Sequence, residues 1–194
     1  MEAPMPADPA AFAFLATRMS HPAKTLAAPA PDRATMTAIL TAALRVPDHG
    51  KLEPWRLVVA GRQALDRWAE VAEARGAELG LEPEQIDKGR GQFARSVTCV
   101  AVLASPRGGD RIPPIEQTLS AGALCLGLVN AAHAAGYGAA WITGWPGHDH
   151  GFAKAALGAQ PQEWVAGFVH MGSITHVPPD RPRPDLARTV TWAD

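Results

Sequence analysis

The spacing of apolar side chains along the chain predicts several helices. Apolar residues recur at every third or fourth position between Asp32, which suits a helix N-cap, and Pro47, which disfavours helical backbone at the residue before it. The same spacing predicts an opening helix over residues 10–19, helices around residues 65–72 and 86–93, and a long helix over residues 115–136.

Short apolar runs predict four strands, over residues 55–60, 97–103, 138–143 and 164–171. Helices therefore outnumber strands, and the mixture predicts an α+β or α/β sandwich around one sheet. The sequence of 194 residues has no internal repeat, low-complexity block or linker, so we expect one domain over residues 1–194. Prolines gather at both ends and predict extended arms over residues 1–10 and 176–194.

The long apolar stretch over residues 115–136 is rich in small residues, Gly122 and Gly127 among them. Each interior glycine costs a helix about 1 kcal/mol relative to alanine, so the small side chains indicate close approach of a neighbour. That neighbour is either the core of the same chain, or the core together with a second subunit. Polar residues such as Glu116 and Asn130 make the stretch a poor membrane span.

The charge balance argues against a nucleic-acid-binding protein. The chain has 18 lysines and arginines against 19 aspartates and glutamates, and no basic stripe runs along it. Cys99 and Cys125 lie in apolar surroundings without a metal-ligand pattern, and the N-terminus lacks the pattern of a signal peptide. We therefore expect a reduced, cytoplasmic protein.

Familiar catalytic motifs are missing from the sequence, including the serine nucleophile elbow, the zinc-protease helix and the glycine-rich phosphate loops. His148 and His150 flank Asp149 and allow a metal-dependent hydrolase as one hypothesis. No carboxylate pattern elsewhere completes such a site, and an exposed polar turn is the simpler interpretation of these residues.

The segment over residues 45–55 joins a helix end to a strand. It carries more ionisable groups than a connector needs, among them Arg45, His49 and Lys51. A solvated turn would explain these charges, but Trp55 opens a buried strand and would hold the segment on a rigid element, as binding loops require.

Five motifs in order resemble the FMN-dependent nitroreductases, and in particular the short bacterial NAD(P)H nitroreductases. Arg18-Met19-Ser20 resembles the family's Arg-Arg-Ser, and residues 47–55 resemble its Pro-Ser-x-x-Asn-x-Gln-Pro-Trp loop. Similar motifs follow at the start of a long helix (residues 116–122), at a strand end (residues 138–144) and in a late strand (residues 165–172).

The resemblance implies an α+β fold, a three-layer sandwich in which helices flank a central, mostly antiparallel sheet. It implies FMN as cofactor and a homodimer with composite FMN sites, in which the His49 loop of one subunit reaches the flavin of the other. The implied cofactor contacts are Arg18, Met19, Ser20, Arg45, His49, Lys51, Trp141, Ile142 and Thr143. Arg18 and Ser20 would meet the phosphate, and Lys51 or Arg45 would stabilise negative charge on the reduced ring.

The activity that the resemblance implies is hydride transfer from NAD(P)H through flavin N5 to a nitroaromatic or quinone-like acceptor. The flavin carries this chemistry, so no catalytic side chain is expected. The sequence departs from the family pattern at Met19, Lys51 and Ile142. These departures keep open an alternative, a non-catalytic member of the same fold that binds, stores or senses FMN.

Overall fold

The computed structural model describes residues 6–193, which form seven α-helices and five β-strands. The helices are α1 (Pro9–Thr17), α2 (Arg33–Ala43), α3 (Arg62–Glu78), α4 (Pro83–Ala94), α5 (Pro114–Ala134), α6 (His150–Leu157) and α7 (Leu186–Thr189). The strands are β1 (Leu26–Ala27), β2 (Trp55–Ala60), β3 (Thr98–Ala104), β4 (Gly138–Ile142) and β5 (Trp164–Ile174).

Strand β5 is the central strand of the sheet. It pairs with β1, β3 and β4, and β3 pairs in turn with β2. The register places Val100 opposite Val169 and Gly138 opposite Gly172. Each of these pairings is antiparallel, which confirms the predicted antiparallel sheet.

Alternate side chains of β3 enter two different hydrophobic cores, because successive side chains of a strand point to opposite faces. Cys99 and Leu103 pack in the core that α3, α4 and α6 close, where Phe93 is fully buried. Val100 and Val102 pack in the core that α2 and α5 close. Helices therefore cover both faces of the sheet, and the three-layer α+β sandwich is confirmed.

Helix α5 uses its small residues for close packing on one side. A Cβ atom added at Gly127 would lie 2.9 Å from the carbonyl oxygen of Ala43 in α2, so only glycine fits this approach. On the outer side, Leu119 and Leu126 are 65% and 44% exposed, which leaves an apolar face open in the single chain. Within residues 6–193, no helix combines the length and apolar character that crossing a membrane requires.

The prediction of extended arms over residues 1–10 and 176–194 is wrong where helices interrupt them. Pro9 and Ala10 belong to α1, which the Asp8 carboxylate caps by accepting hydrogen bonds from the first-turn N–H groups. Helix α7 interrupts the C-terminal arm and is capped in the same way by Asp185. These local capping signals outweigh the prolines, and residues 1–5 and 194 of the predicted arms lie outside the described residues.

His170 on β5 lies in the core within a small polar network. Its Nδ1 is 2.8 Å from the Oγ of Ser96, and that hydroxyl donates its hydrogen to the carbonyl oxygen of Thr98 at 3.0 Å. His170 Nδ1 must therefore donate to Ser96, which leaves Nε2 facing the Sγ of Cys99 at 4.0 Å. Burial lowers the pKa of His170 to about 4, so the ring is neutral at physiological pH.

We expect His170 to make the fold less stable in mild acid. The unfolded chain takes up a proton at this residue near pH 6.5, whereas the folded chain does so only near pH 4. Stability therefore falls as the pH drops between these values, and going from pH 7.5 to 5 should cost roughly 2 kcal/mol through this residue. Urea unfolding at the two pH values measures the difference.

His170→Gln should remove this part of the pH dependence, whatever it does to stability itself. His176→Gln, at the exposed end of the chain, is the matched control and should retain the full dependence. An unchanged pH dependence in His170→Gln would show that the buried ring is not its source.

Candidate functional site

The predicted motif Arg18-Met19-Ser20 lies beside the first residues of β4. The backbone N–H of His21 donates to the carbonyl oxygen of Ala139 at 3.0 Å, which ties the segment to that strand. Arg18 Nη2 donates to Ser20 Oγ at 3.4 Å. Arg18 Nε is buried and has no hydrogen-bond partner among the described residues, so this guanidinium has donor capacity left for a ligand.

A cavity of about 410 Å³ opens at this segment, between the end of α1 and the C-terminal chain. Its lining includes Arg18, Met19 and Ser20 on one side, and Arg181 and Arg183 on the other. Arg183 donates to the carbonyl oxygen of Ala16 at 2.7 Å, and it also pairs with the carboxylate of Asp180 at 2.9 Å. Three guanidinium groups against one carboxylate make this cavity suited to an anion.

The last residues of β4 carry the second predicted motif. Trp141 Nε1 donates to the carbonyl oxygen of Ala166 at 3.1 Å, and the indole occupies the space where a side chain at Gly167 would lie. The carbonyl oxygen of Thr143 accepts a hydrogen bond from Gln92 Nε2 at 3.3 Å. This contact holds the end of β4 against helix α4.

Ile142 lines a smaller cavity, of about 220 Å³, whose other lining residues include several polar side chains. Lys24, Lys88 and Arg95 are among its lining residues, so three cations lie next to the end of β4, one of which, Lys88, pairs with Glu84 at 2.9 Å. Gln92 also lines the cavity. The Arg95 guanidinium lies over Gly91, one helical turn earlier, where a Cβ atom would displace it. The side chain of Ile142 is apolar, but polar side chains from other elements lie next to it.

Trp145 holds helix α4 next to this cavity. Its Nε1 donates to the carbonyl oxygen of Gln85 at 2.9 Å, and its indole fills the space over Gly89. The turn after β4 is therefore packed directly onto α4, which brings Gln92 and Arg95 to the strand end.

The loop over residues 47–53 is held on the first half of α5. Ser120 Oγ donates to the carbonyl oxygen of Pro47, and His49 Nδ1 lies 2.6 Å from Glu116 Oε2. The Asp48 carboxylate accepts the backbone N–H groups of residues 52 and 53 at 3.1 and 2.9 Å, and this fixes a tight turn with Lys51 at φ +53°.

The structure does not bring this loop to either end of β4 within one chain. Lys51 lines a separate cavity of about 350 Å³ together with Glu53 and Trp55. Arg45, His49 and Lys51 line neither the Arg18 cavity nor the Ile142 cavity. Their predicted contact with a flavin therefore depends on a second subunit.

The comparison with known proteins assigns the family: residues 15–173 match the model of the nitroreductase family. The chain belongs to this family. It is 35% identical over 166 residues to a Haemophilus influenzae (strain ATCC 51907 / DSM 11121 / KW20 / Rd) protein whose name assigns it provisionally as an NAD(P)H nitroreductase, covering 84% of this chain and 88% of that protein. The resemblance found in the sequence is thereby confirmed.

Two solved structures share the nitroreductase fold. A nitroreductase-like family protein from Bacillus cereus superimposes with a TM-score of 0.77 at 18% identity, covering 97% of this chain and 98% of that one. A protein from Desulfovibrio desulfuricans, solved in complex with FMN, gives a TM-score of 0.73 at 18% identity, covering 97% and 99%.

In this nitroreductase-family chain, His148 lies in an exposed turn, as the simpler interpretation predicted, and His150 is the first residue of α6. Asp149 caps that helix by accepting from Phe152 N–H at 2.7 Å, and it pairs with Arg75 at 3.0 Å. Arg75 lowers the pKa of the Asp149 carboxyl group. His150 Nε2 faces the carbonyl oxygen of Gln160 at 3.1 Å. Asp149 and His150 therefore already have partners, and the described residues hold no group of three or more His, Cys, Asp or Glu side chains placed to bind a metal ion.

Sequence reasoning missed several polar residues at the candidate site, among them Lys24, Gln92, Arg95, Arg181 and Arg183. The Arg-Pro-Arg-Pro run over residues 181–184 was a usable signal, because prolines hold two arginines in a stiff, extended segment. Gln92 and Arg95 gave no such signal, since their place beside β4 results from helix packing.

Proposed function

We propose that this protein is an FMN-dependent oxidoreductase that passes hydride from NAD(P)H to a nitroaromatic or quinone-like acceptor. The observation that carries the proposal is the pairing of two sites along β4, an arginine-lined cavity where the strand begins and a cation-flanked surface where it ends. The family assignment and the FMN-bound relative of the same fold support it.

The Arg18 cavity fits a phosphate monoester. Arg18 has a buried Nε without a partner, and the Ser20 hydroxyl lies within 3.4 Å of the same guanidinium. Planar guanidinium groups form short, charge-assisted hydrogen bonds with phosphate oxygens. Arg18 and Ser20 would therefore hold the FMN phosphate, and Met19 would line the cavity beside them.

The end of β4 would hold the ring system. FMN bound there would supply hydride transfer, and the reduced ring would carry negative charge until its hydride goes to the acceptor. Lys24 and Arg95 beside Ile142 would stabilise that charge. Trp141 and Thr143 line a separate cavity of about 750 Å³ between α5 and α6, where they would supply an apolar surface and backbone groups. The role that the resemblance implied for Lys51 or Arg45, on the loop of the partner subunit, would then fall to Lys24 and Arg95 of the subunit that contributes Ile142.

A homodimer would complete the site. The outer face of α5 exposes Ile115, Leu119 and Leu126, which is the apolar area a second subunit would cover. The loop bearing His49 is fixed to the same half of α5, so it would reach the partner's flavin when those faces meet. Cys99 and Cys125 are both buried free thiols, which supports a cytoplasmic location.

A visible spectrum separates the oxidoreductase from the non-catalytic alternative, which the unusual residues Met19, Lys51 and Ile142 motivate. We expect the purified protein, after addition of FMN, to be yellow and to bleach when NADH or NADPH is added without oxygen. Yellow protein that keeps its colour with both nucleotides would be a flavin-binding protein only. Protein that gains no flavin absorbance and does not quench FMN fluorescence does not bind FMN, and that result would contradict both the oxidoreductase and the non-catalytic alternative.

A further inference from the structure

Two histidines form a hydrogen-bonded pair at the end of the Arg18-Met19-Ser20 segment that lines the Arg18 cavity. His21 Nδ1 lies 3.2 Å from His133 Nε2, and the rings meet edge to face with their centres 5.1 Å apart. His21 follows the Arg18-Met19-Ser20 segment and is only 6% exposed, and His133 lies in the last turn of α5.

Among residues 6–193, one further charged group, Arg18, acts on both rings through its positive charge. β4 contributes the carbonyl oxygen of Ala139 and the bare backbone of Gly138, and a side chain at Gly138 would meet the apolar Leu26 and Ile174. Burial and the positive charge of Arg18 lower the pKa of His21, and that of His133 falls to about 4. Both shifts favour the neutral form of the pair in the chain without ligand.

We propose that His21 and His133 are a proton-accepting part of the phosphate site: a phosphate monoester bound at Arg18 and Ser20 is accompanied by uptake of one proton by the pair. The inference rests on the function proposed above, since it takes the FMN phosphate as the ligand at Arg18. The proton comes from the buffer, and no covalent bond changes.

The geometry limits the uptake to one proton. The 3.2 Å contact between the two nitrogens has room for one hydrogen, which one ring donates to the other. A first added proton goes to an outward-facing nitrogen and leaves that hydrogen bond in place. A second would put a hydrogen on both facing nitrogens and break the contact.

The sign of the local field explains why a phosphate would drive the uptake. Without ligand, the uncompensated Arg18 charge disfavours a second positive charge nearby. A phosphate dianion reverses this field and favours the protonated pair, and by linkage the protonated pair favours the phosphate. FMN should therefore bind about tenfold more tightly at pH 6 than at pH 8 through this effect.

Isothermal titration of FMN into flavin-free protein tests the inference, in buffers of different ionisation enthalpy at pH 6.5. The matched variant is His133→Gln, whose amide nitrogen can occupy the position of Nε2 without titrating. We expect the parent to take up about half a proton more per FMN than the variant does. With riboflavin, which lacks the phosphate, the two proteins should not differ.

His21→Asn places an amide near the Nδ1 position and gives a second, independent variant should His133→Gln fail to fold. Equal proton uptake with FMN in parent and folded variant would overturn the inference while leaving FMN binding intact. A difference that persists with riboflavin would overturn it too, because the phosphate would not be its cause. Failure of the parent to bind FMN would reject the proposed function itself.

Discussion

Replacing Arg18 with glutamine should weaken FMN binding roughly 10- to 100-fold, because a hydrogen bond between charged groups contributes about 1.5–3 kcal/mol. Among the described residues, the guanidinium makes one hydrogen bond, to Ser20, so its remaining donors are available to a phosphate. Quenching of FMN fluorescence on titration with protein measures the affinity directly.

Arg67→Gln, on the exposed side of α3, is the matched control and should bind FMN like the parent. Thermal unfolding without FMN should change little in Arg18→Gln, since the side chain contributes mainly to the cavity. If the Arg18 variant and the parent bound FMN equally well, Arg18 would be a surface arginine without a role in the site.

Mixing two inactive variants should restore activity if the site is shared between subunits. One chain would carry a change at Arg18 and the other a change at His49, each severely impaired alone. A heterodimer then contains one site with both lesions and one with neither, so it should regain about half of the parent activity per dimer. Co-expression with two different affinity tags yields the heterodimer, and NADPH oxidation with a quinone measures its rate.

Co-purified homodimers of each variant provide the baseline for this experiment. FMN should also raise the stability of the dimer, because a ligand bound across an interface stabilises the assembled form by mass action. Verified heterodimers that stay inactive would place Arg18 and His49 in the same subunit's site, or His49 outside any site.

The regular parts of the fold could be predicted because local signals mark them. β2 is found at residues 55–60 as predicted, since Pro54 and Gly61 bracket an apolar run. Asp32 caps α2 as expected, and its carboxylate accepts from the N–H of Thr35 at 2.8 Å. The two-residue strand β1 was missed, because its pairing with β5 depends on residues almost 150 positions away.

The site could be predicted only in part. Motif order identified the segments around Arg18 and Trp141, and the structure places them at the two ends of one strand. The polar wall formed by Gln92 and Arg95 was not predictable, because it depends on the packing of Trp145 over Gly89. The contacts of all these residues with FMN stay a prediction.

The position of β5 has a consequence for synthesis of the chain on the ribosome. This strand bonds to three others and contributes Phe168 to one core and Val169 and Met171 to the other, yet it begins only at residue 164 of 194. At roughly 5–20 residues per second, the first 163 residues take about 10–30 s to make, and throughout that time neither core can close. A nascent chain that has not yet reached β5 therefore exposes the apolar surfaces that chaperones and proteases recognise.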